Sequence, residues 1–325
     1  NYGFFADQAR DLLEVHNWLA LGKIPLQGPL TSIGTFHLGP LYYYLIAPFV
    51  FIFQYDPIGA VYFEVFDGLL LVALGFLLFR KFVDSGTAFI FSLLITLSPL
   101  AISLSKGSWN PHPQLLVILL LVFSFMQFIK TNAVKYIFIS AFLVGVGVQL
   151  HYTFLTNLFS LIILILIFKR RSVLNFKMWL LFVCGFLLPL VPFLMGQFLN
   201  GFPDINQAWL YINQLGNEKK IFVLKSALDR LSFPFAIFFP ADNLFWFFRF
   251  LALPFYLFLL GNVILIAFLK THLRLLTRIV LVLFFLSLIQ TTLMWIPFYN
   301  HYSYTSATLA MILVTIYISY LYHYA

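Results

Sequence analysis

Residues 57–80, PIGAVYFEVFDGLLLVALGFLLFR, decide the fold. The run is apolar and long enough to cross hydrocarbon as a helix, which takes roughly 17 to 25 residues. It ends on Arg80-Lys81, and Glu64 and Asp67 interrupt it one helical turn apart near its start. Ionisable groups inside a span are costly and commonly face a cavity or a partner. The segment therefore predicts a span with a polar, cavity-lining site at its beginning. A structural hydrogen bond to a neighbouring helix is the competing reading.

The same pattern recurs at about 85–105, 112–129, 136–152, 154–168, 178–199, 243–269, 279–298 and 303–322. At 62% hydrophobic and 9% charged, the chain is unlike a soluble domain, where about a quarter of residues are charged. Strand alternation is absent, so helices rather than a barrel must satisfy the backbone. The expected class is an all-α polytopic membrane protein, a bundle of about 9–10 transmembrane helices. The chain reads as one membrane-embedded domain over 1–325. Within it, 1–56 form an external loop with juxtamembrane helices, 57–199 the core spans, 200–242 a second long external loop, and 243–325 the C-terminal spans. No internal repeat or low-complexity tract is evident. The chain begins at Asn1 in a polar segment and stops at Ala325, and it reads as a fragment lacking further spans.

Charge gives the orientation. Arg80, Lys81, Lys130, Lys135, Lys169, Arg170, Arg171, Lys177, Lys270, Arg274 and Arg278 fall in every second inter-span loop, with Asp84 the carboxylate among them. Cytoplasmic loops favour Lys and Arg, so four clusters agree on one orientation. The net charge of +8 then needs no nucleic-acid partner. A single Cys184 excludes an intrachain disulfide.

The opposite edge collects polar residues. It carries His37, Trp109-Asn110-Pro111-His112, Gln149-Leu150-His151-Tyr152 and Asn300-His301-Tyr302. Before the spans, Asp7, Arg10, Asp11 and Glu14 share one helical face, opposite Leu12, Leu13, Val15, Trp18 and Leu19, which predicts an amphipathic interfacial helix. Residues 37–53, with Gly39, Pro40 and Pro48, are apolar but short, and predict a second juxtamembrane helix. A carboxylate at Asp7 or Asp11 suits a general base or a cation ligand, although a solvated polar face is the favoured reading of Asp11 and Glu14. Lys106, with Arg10, has the charge to neutralise a phosphate; a snorkelling interfacial Lys is the alternative. His37, His112, His151 and His301 could bind phosphate, pair with carboxylates or ligate zinc. None of them lie at i, i+3 or i+4, so no metal is indicated. Tyr42, Tyr43, Tyr44, Tyr299, Tyr302 and Tyr304 suit an aromatic belt. Signatures of soluble phosphate-binding and hydrolytic enzymes are absent.

In this order the features resemble the GT-C membrane glycosyltransferases, and among them the branch of protein O-mannosyltransferases and the aminoarabinose transferase of lipid A. Phe5-Ala6-Asp7-Gln8-Ala9-Arg10 is similar to that branch's acidic motif in the first external loop. His37-Leu38-Gly39-Pro40-Leu41-Tyr42 resembles its juxtamembrane helix, and Ser105 through His112 its second-loop polar patch. The resemblance implies a GT-C bundle, a prokaryotic plasma membrane, and an active site on the external face. It implies transfer of a hexosyl or pentosyl group from a polyprenyl-phosphate donor to a glycan, lipid or protein acceptor. No cofactor beyond that lipid-linked co-substrate is implied, and a divalent metal is not required.

Asp7 would be the base. Arg10, Lys106, His37, Asn110, His112, His151, Tyr152, His301 and Tyr302 would hold the donor, while Asp11, Glu64 and Asp67 would line the cavity. The chain departs from the branch in having Gln8 where Glu is frequent, Tyr62-Phe63-Glu64 where an Arg is common, and Asn110 in place of an Asp. Two other functions remain open at this point: a flippase or transporter of lipid-linked glycans, and a polymerase or ligase of lipid-linked oligosaccharides. Transporters commonly show repeated halves, and this chain shows none.

Overall fold

The computed structural model describes residues 6–31, 36–169, 175–215, 234, 245–293 and 300–324. Arg170, Arg171, Tyr299, the start of the acidic motif at Phe5 and most of the 216–242 loop lie outside the described residues. The helices are α1 (Ala6–Leu21), α2 (Leu41–Ile52), α3 (Ile58–Phe82), α4 (Ser85–Thr96), α5 (Pro99–Leu104), α6 (Gln114–Thr131), α7 (Val134–Leu150), α8 (Thr156–Phe168), α9 (Phe176–Leu199), α10 (Pro203–Leu215), α11 (Phe245–Phe268), α12 (Arg274–Leu293) and α13 (Tyr304–Tyr324). Short 3-10 turns at Tyr152–Leu155 and Asn300–Ser303 lead into α8 and α13. An isolated bridge joins Leu30 and His37, and no strand is present among the described residues.

Each of the expected spans has a helical counterpart. The chain is an all-helical integral membrane protein: among the described residues, five helices are long and apolar enough to cross a membrane. The expected span at 85–105 is broken in two. Pro99 has no N–H to continue α4, so the chain restarts at α5, where Ser98 caps the new helix by accepting from Ala101 N–H at 3.3 Å. The 200–242 connection, read as loop, begins with α10. Gly201 and Phe202 adopt left-handed backbone (φ +72° and +60°) to turn the chain out of α9 into it.

Central and peripheral helices separate by burial. The apolar windows of α13 and α6 are 72% and 67% buried, against 17% for α9 and 28% for α3. A lipid-facing helix needs no protein cover, because lipid tails are as apolar as its side chains. α9 nevertheless packs closely on α7 through small residues. A Cβ at Gly145 would lie 2.4 Å from the Phe186 carbonyl, and one at Gly185 would lie 2.4 Å from that of Phe138. Only glycine permits this approach of two backbones.

The described residues of the basic clusters gather at one end of the bundle, where Lys130 and Arg278 satisfy carbonyls left over at helix C-termini. Lys130 Nζ donates to the Phe82 carbonyl at 3.3 Å, Arg278 Nε to that of Ala267 at 2.8 Å, and Lys169 to the Asn132 side chain. The polar residues singled out from the sequence lie at the other end.

α1 departs from a simple surface helix. Asp11 is 1% exposed and Leu13 59% exposed, so part of the charged face turns into the protein while Leu13 turns out. The solvated-face reading holds for Glu14, which is exposed, and fails for Asp11.

Candidate active site

A cavity of about 160 Å³ opens at the polar end. Six segments build it: the first turn of α1, residues 29–31 with Phe36 and Leu38, the turn before α6, the junction of α7 with the 3-10 turn at 152–155, α12 at Gln290, and the turn leading into α13. Asp7 and Arg10, Asn110, His151 and Tyr152, and His301 and Tyr302 all line it. Phe36, Trp109, Thr153 and Gln290 complete the polar and aromatic wall.

Long-range hydrogen bonds fix these segments. Gln149, in the last turn of α7, accepts from Leu41 N–H at 3.2 Å and so satisfies an orphan donor of α2, whose Pro40 cap offers none. Its amide also donates to the Pro189 carbonyl in α9. Asn110 Nδ2 donates to the Leu150 carbonyl at 2.6 Å. Tyr152 Oη donates to the His37 carbonyl. Around the wall, the His301 ring meets Trp109 at 4.6 Å, His151 at 4.8 Å and Tyr302 at 4.6 Å between centroids.

Arg10 is the Lys or Arg that lines this cavity among the described residues. Asp11 Oδ1 lies 2.8 Å from its Nη2 and Asp7 Oδ1 3.1 Å from its Nη1. Burial disfavours the guanidinium charge, yet the two carboxylates outweigh it and raise the pKa. Burial likewise disfavours the charge on Asp11: it exceeds the attraction of Arg10 and pushes the carboxyl up to about 6. Tyr43 Oη donates to Asp11 Oδ1 at 3.4 Å, and Asp11 Oδ2 has no hydrogen-bond partner. Asp11 lines neither cavity, contrary to the expectation for it. It lies behind Arg10 and aims the guanidinium toward Asp7.

Burial also decides what the histidines are. It pushes the His151 ring well below its usual range and the His112 ring down to about 3. Both are neutral imidazoles at pH 7, able to exchange hydrogen bonds but unable to supply the positive charge a phosphate needs. His112 Nδ1 stands 3.7 Å from Glu64 Oε2, too far for a hydrogen bond and, with the ring neutral, not an ion pair.

Glu64, Asp67 and His112 line a second cavity of about 210 Å³ between α3, α5 and the start of α6. Glu64 Oε1 accepts from Tyr42 Oη at 2.8 Å and from Trp109 N–H at 3.2 Å. Since Trp109 lines the first cavity, Glu64 belongs to the wall between the two.

Three expected donor ligands lie outside the first cavity: His112 lines only the second, and Lys106 and His37 line neither. Lys106 is exposed and lines neither cavity. His37 pairs instead with Asp204 in the first turn of α10: Asp204 Oδ1 is 2.8 Å from both its N and its Nδ1. Asp204, 4% exposed, also accepts from Gln27 Nε2 at 3.2 Å and from the Gln197 side chain. Sequence reading gave Asp204 no role, since one acidic residue in a long polar loop carries no period. Gln290 had a visible signal, an uncharged polar residue near the end of an apolar run.

Residues 37–195 match the family model described as dolichyl-phosphate-mannose-protein mannosyltransferase. Two solved structures match the fold over 98% of this chain: ArnT from Cupriavidus metallidurans in the apo state, TM-score 0.69 at 12% identity, and the same protein bound to undecaprenyl phosphate, TM-score 0.66 at 13% identity. The chain has the ArnT fold. It spans 55% and 56% of the length of those two chains. No curated protein matches the sequence. The family match begins at His37, so α1 with Asp7 and Arg10 lies outside it, while Asn110, His112, His151 and Tyr152 lie within it.

Proposed function

We propose that this chain is the membrane-embedded part of a glycosyltransferase that uses a polyprenyl-phosphate-linked sugar. In this reading the first cavity is its active site, on the outer face of a prokaryotic plasma membrane. The observation that carries the proposal is that Asp7 and Arg10, one turn apart on α1, line the same cavity as Asn110, His151, Tyr152, His301 and Tyr302. A general base and a cation set side by side match what glycosyl transfer from a phosphate requires.

The acceptor hydroxyl enters from the aqueous side and gives its proton to an Asp7 carboxylate oxygen. The acceptor oxygen forms the new bond to the anomeric carbon as the bond to the phosphate oxygen breaks, and the polyprenyl phosphate leaves with the electron pair. Arg10 steadies the growing negative charge, and Asp11 holds Arg10 in line. The neutral His151 and the 301–302 turn supply hydrogen bonds to sugar hydroxyls. The Asn110 amide, already committed to Leu150, shapes the wall. A donor arriving within the bilayer and an acceptor arriving from water would meet at headgroup depth, the level this reading gives to α1. The family match and the ArnT likeness support the donor class, a prenyl-linked sugar.

The test is single-turnover transfer by purified protein from synthetic polyprenyl-phosphate hexoses and pentoses, run beside Asp7→Asn. The expected result is transfer abolished in the variant, with its thermal stability unchanged. Normal turnover by Asp7→Asn would overturn the assignment of the base. Movement of labelled donor across proteoliposomes without a new glycosidic bond would overturn the reaction itself.

A further inference from the structure

At the basic end of the bundle, three ligating side chains from distant parts of the chain converge. Asp84 precedes α4, His272 sits in the turn between α11 and α12, and His323 lies in the last turn of α13. Their ligand atoms all lie within 4.8 Å of one another. His272 Nε2 and His323 Nε2 each stand 3.3 Å from Asp84 Oδ2. We propose that Asp84, His272 and His323 bind a divalent transition-metal ion, zinc by ligand type, which clasps these three elements together.

The distances carry the first part of the argument. A tetrahedral zinc with bonds of about 2.0–2.1 Å sets neighbouring ligand atoms roughly 3.3–3.4 Å apart. The two nitrogen-to-oxygen separations of 3.3 Å already fit that edge. Imidazole nitrogens and a carboxylate oxygen are ligands zinc accepts, and three protein ligands leave a fourth position for water. The partial exposure of all three side chains, 26% for Asp84, 38% for His272 and 30% for His323, gives the ion a path from solvent.

Supporting contacts carry the second part. Metal-binding histidines are usually held by a hydrogen bond at the other ring nitrogen, and ligating carboxylates are held in turn. His272 Nδ1 is 3.1 Å from Tyr324 Oη, which leaves Nε2 to face Asp84. Asp84 is fixed by Thr87, whose N–H donates to Oδ1 at 2.8 Å and whose hydroxyl donates to Oδ2 at 2.6 Å. Thr87 Oγ1 lies 2.5 Å from Ser319 Oγ on α13, one turn before His323. The His272 and His323 rings meet edge to face at 5.2 Å between centroids. Two imidazole nitrogens 3.3 Å from one carboxylate oxygen are placed to share a cation with it. Lys270 and Arg274 flank His272 in sequence, and their charge weakens affinity for a dication without entering the ligand shell.

The site is remote from the proposed chemistry. His272 just precedes α12 and Gln290 lies near its far end, roughly 25 Å away by helical rise. Its expected role is therefore to hold the basic end of α13 against α4 and α12.

The experiment uses purified protein stripped with EDTA, dialysed, and titrated with Zn2+ against a chromophoric chelator. Thermal stability is followed in parallel, and Co2+ serves as the spectroscopic probe. The expected result is one ion per chain, a rise in Tm on loading, and visible ligand-field bands of tetrahedral Co2+. His272→Gln and His323→Gln should each weaken binding by at least about tenfold, with the metal-free Tm unchanged. Asp84→Asn, which keeps an oxygen for the α4 cap, should do the same. Absence of saturable binding, or binding unaltered in the His272→Gln/His323→Gln double variant, would overturn the proposal. The former outcome would leave protons on the imidazoles as the cations.

Discussion

Replacing Asp204 by Ala removes a buried carboxylate that accepts from four donors: the His37 N–H, His37 Nδ1, Gln27 Nε2 and the Gln197 amide. The backbone bond from Asp204 N–H to Gln197 Oε1 at 3.0 Å survives the change. Each buried donor left without an acceptor costs about 1–3 kcal/mol. The His37 ring is 34% exposed and recovers water readily; Gln27 is half-buried and recovers part of its loss. The His37 N–H and the Gln197 amide carry most of the penalty, about 3–4 kcal/mol in all. That corresponds to a factor of roughly 10² to 10³ in the opening equilibrium of α10 against the first loop. Asp204→Asn keeps one acceptor oxygen but turns an NH2 toward the glutamine donors, and should cost about half as much. Hydrogen exchange read by mass spectrometry on peptides covering α10 and residues 36–44 measures both. A change below tenfold at α10 in Asp204→Ala would refute the reasoning, as would an Asn variant no milder than Ala.

Three further outcomes follow from α1 and the cavity. Asp11 titrates at about 6 in the fold against an ordinary value of 3.8, so the folded state binds the extra proton. Its contribution to local stability is complete below about pH 4 and lost as pH rises through 6, on the order of 3 kcal/mol. Exchange protection of α1 should fall across that window in the native protein and stay flat in Asp11→Asn; parallel profiles would remove burial as the cause. Arg10→Lys should weaken donor turnover at least tenfold through loss of the forked pairing. Lys106→Ala should leave kcat/KM within about twofold, because an exposed Lys outside the cavity contributes little. The reverse ranking would return the phosphate role to Lys106.

The fold was largely legible because lipid imposes a strong constraint on sequence. A span must be apolar along its whole length, so each expected span appears as a helix, and the basic loops gather at one end. Boundaries moved where proline intervened, as at Pro99, or where a helix continued past its apolar run, as α12 does back to Arg274. The candidate site was legible only as an edge. Asp7, Arg10, Asn110, His151, Tyr152, His301 and Tyr302 could be gathered because each follows or precedes a span on the same side, and a common side is a topological fact. What each does there is not topological. Asp11 and Glu14 share a helical face in the sequence, yet one is buried against Arg10 and the other is exposed.

Asp204 shows the limit most clearly. Its meaning depends on Gln27, His37 and Gln197, partners up to 177 residues away, and no local period encodes such a meeting. The same holds for Asp84, His272 and His323, which look like loop residues in a basic surround until the helices bring them within 4.8 Å. Charge patterning reports which side of the bundle a residue occupies. Which residues meet on that side is set by helix order and close packing, as where Gly145 and Gly185 draw α7 onto α9. Polar clusters that join three or more elements are therefore where a structure adds most to a membrane sequence, and where substitution is most informative.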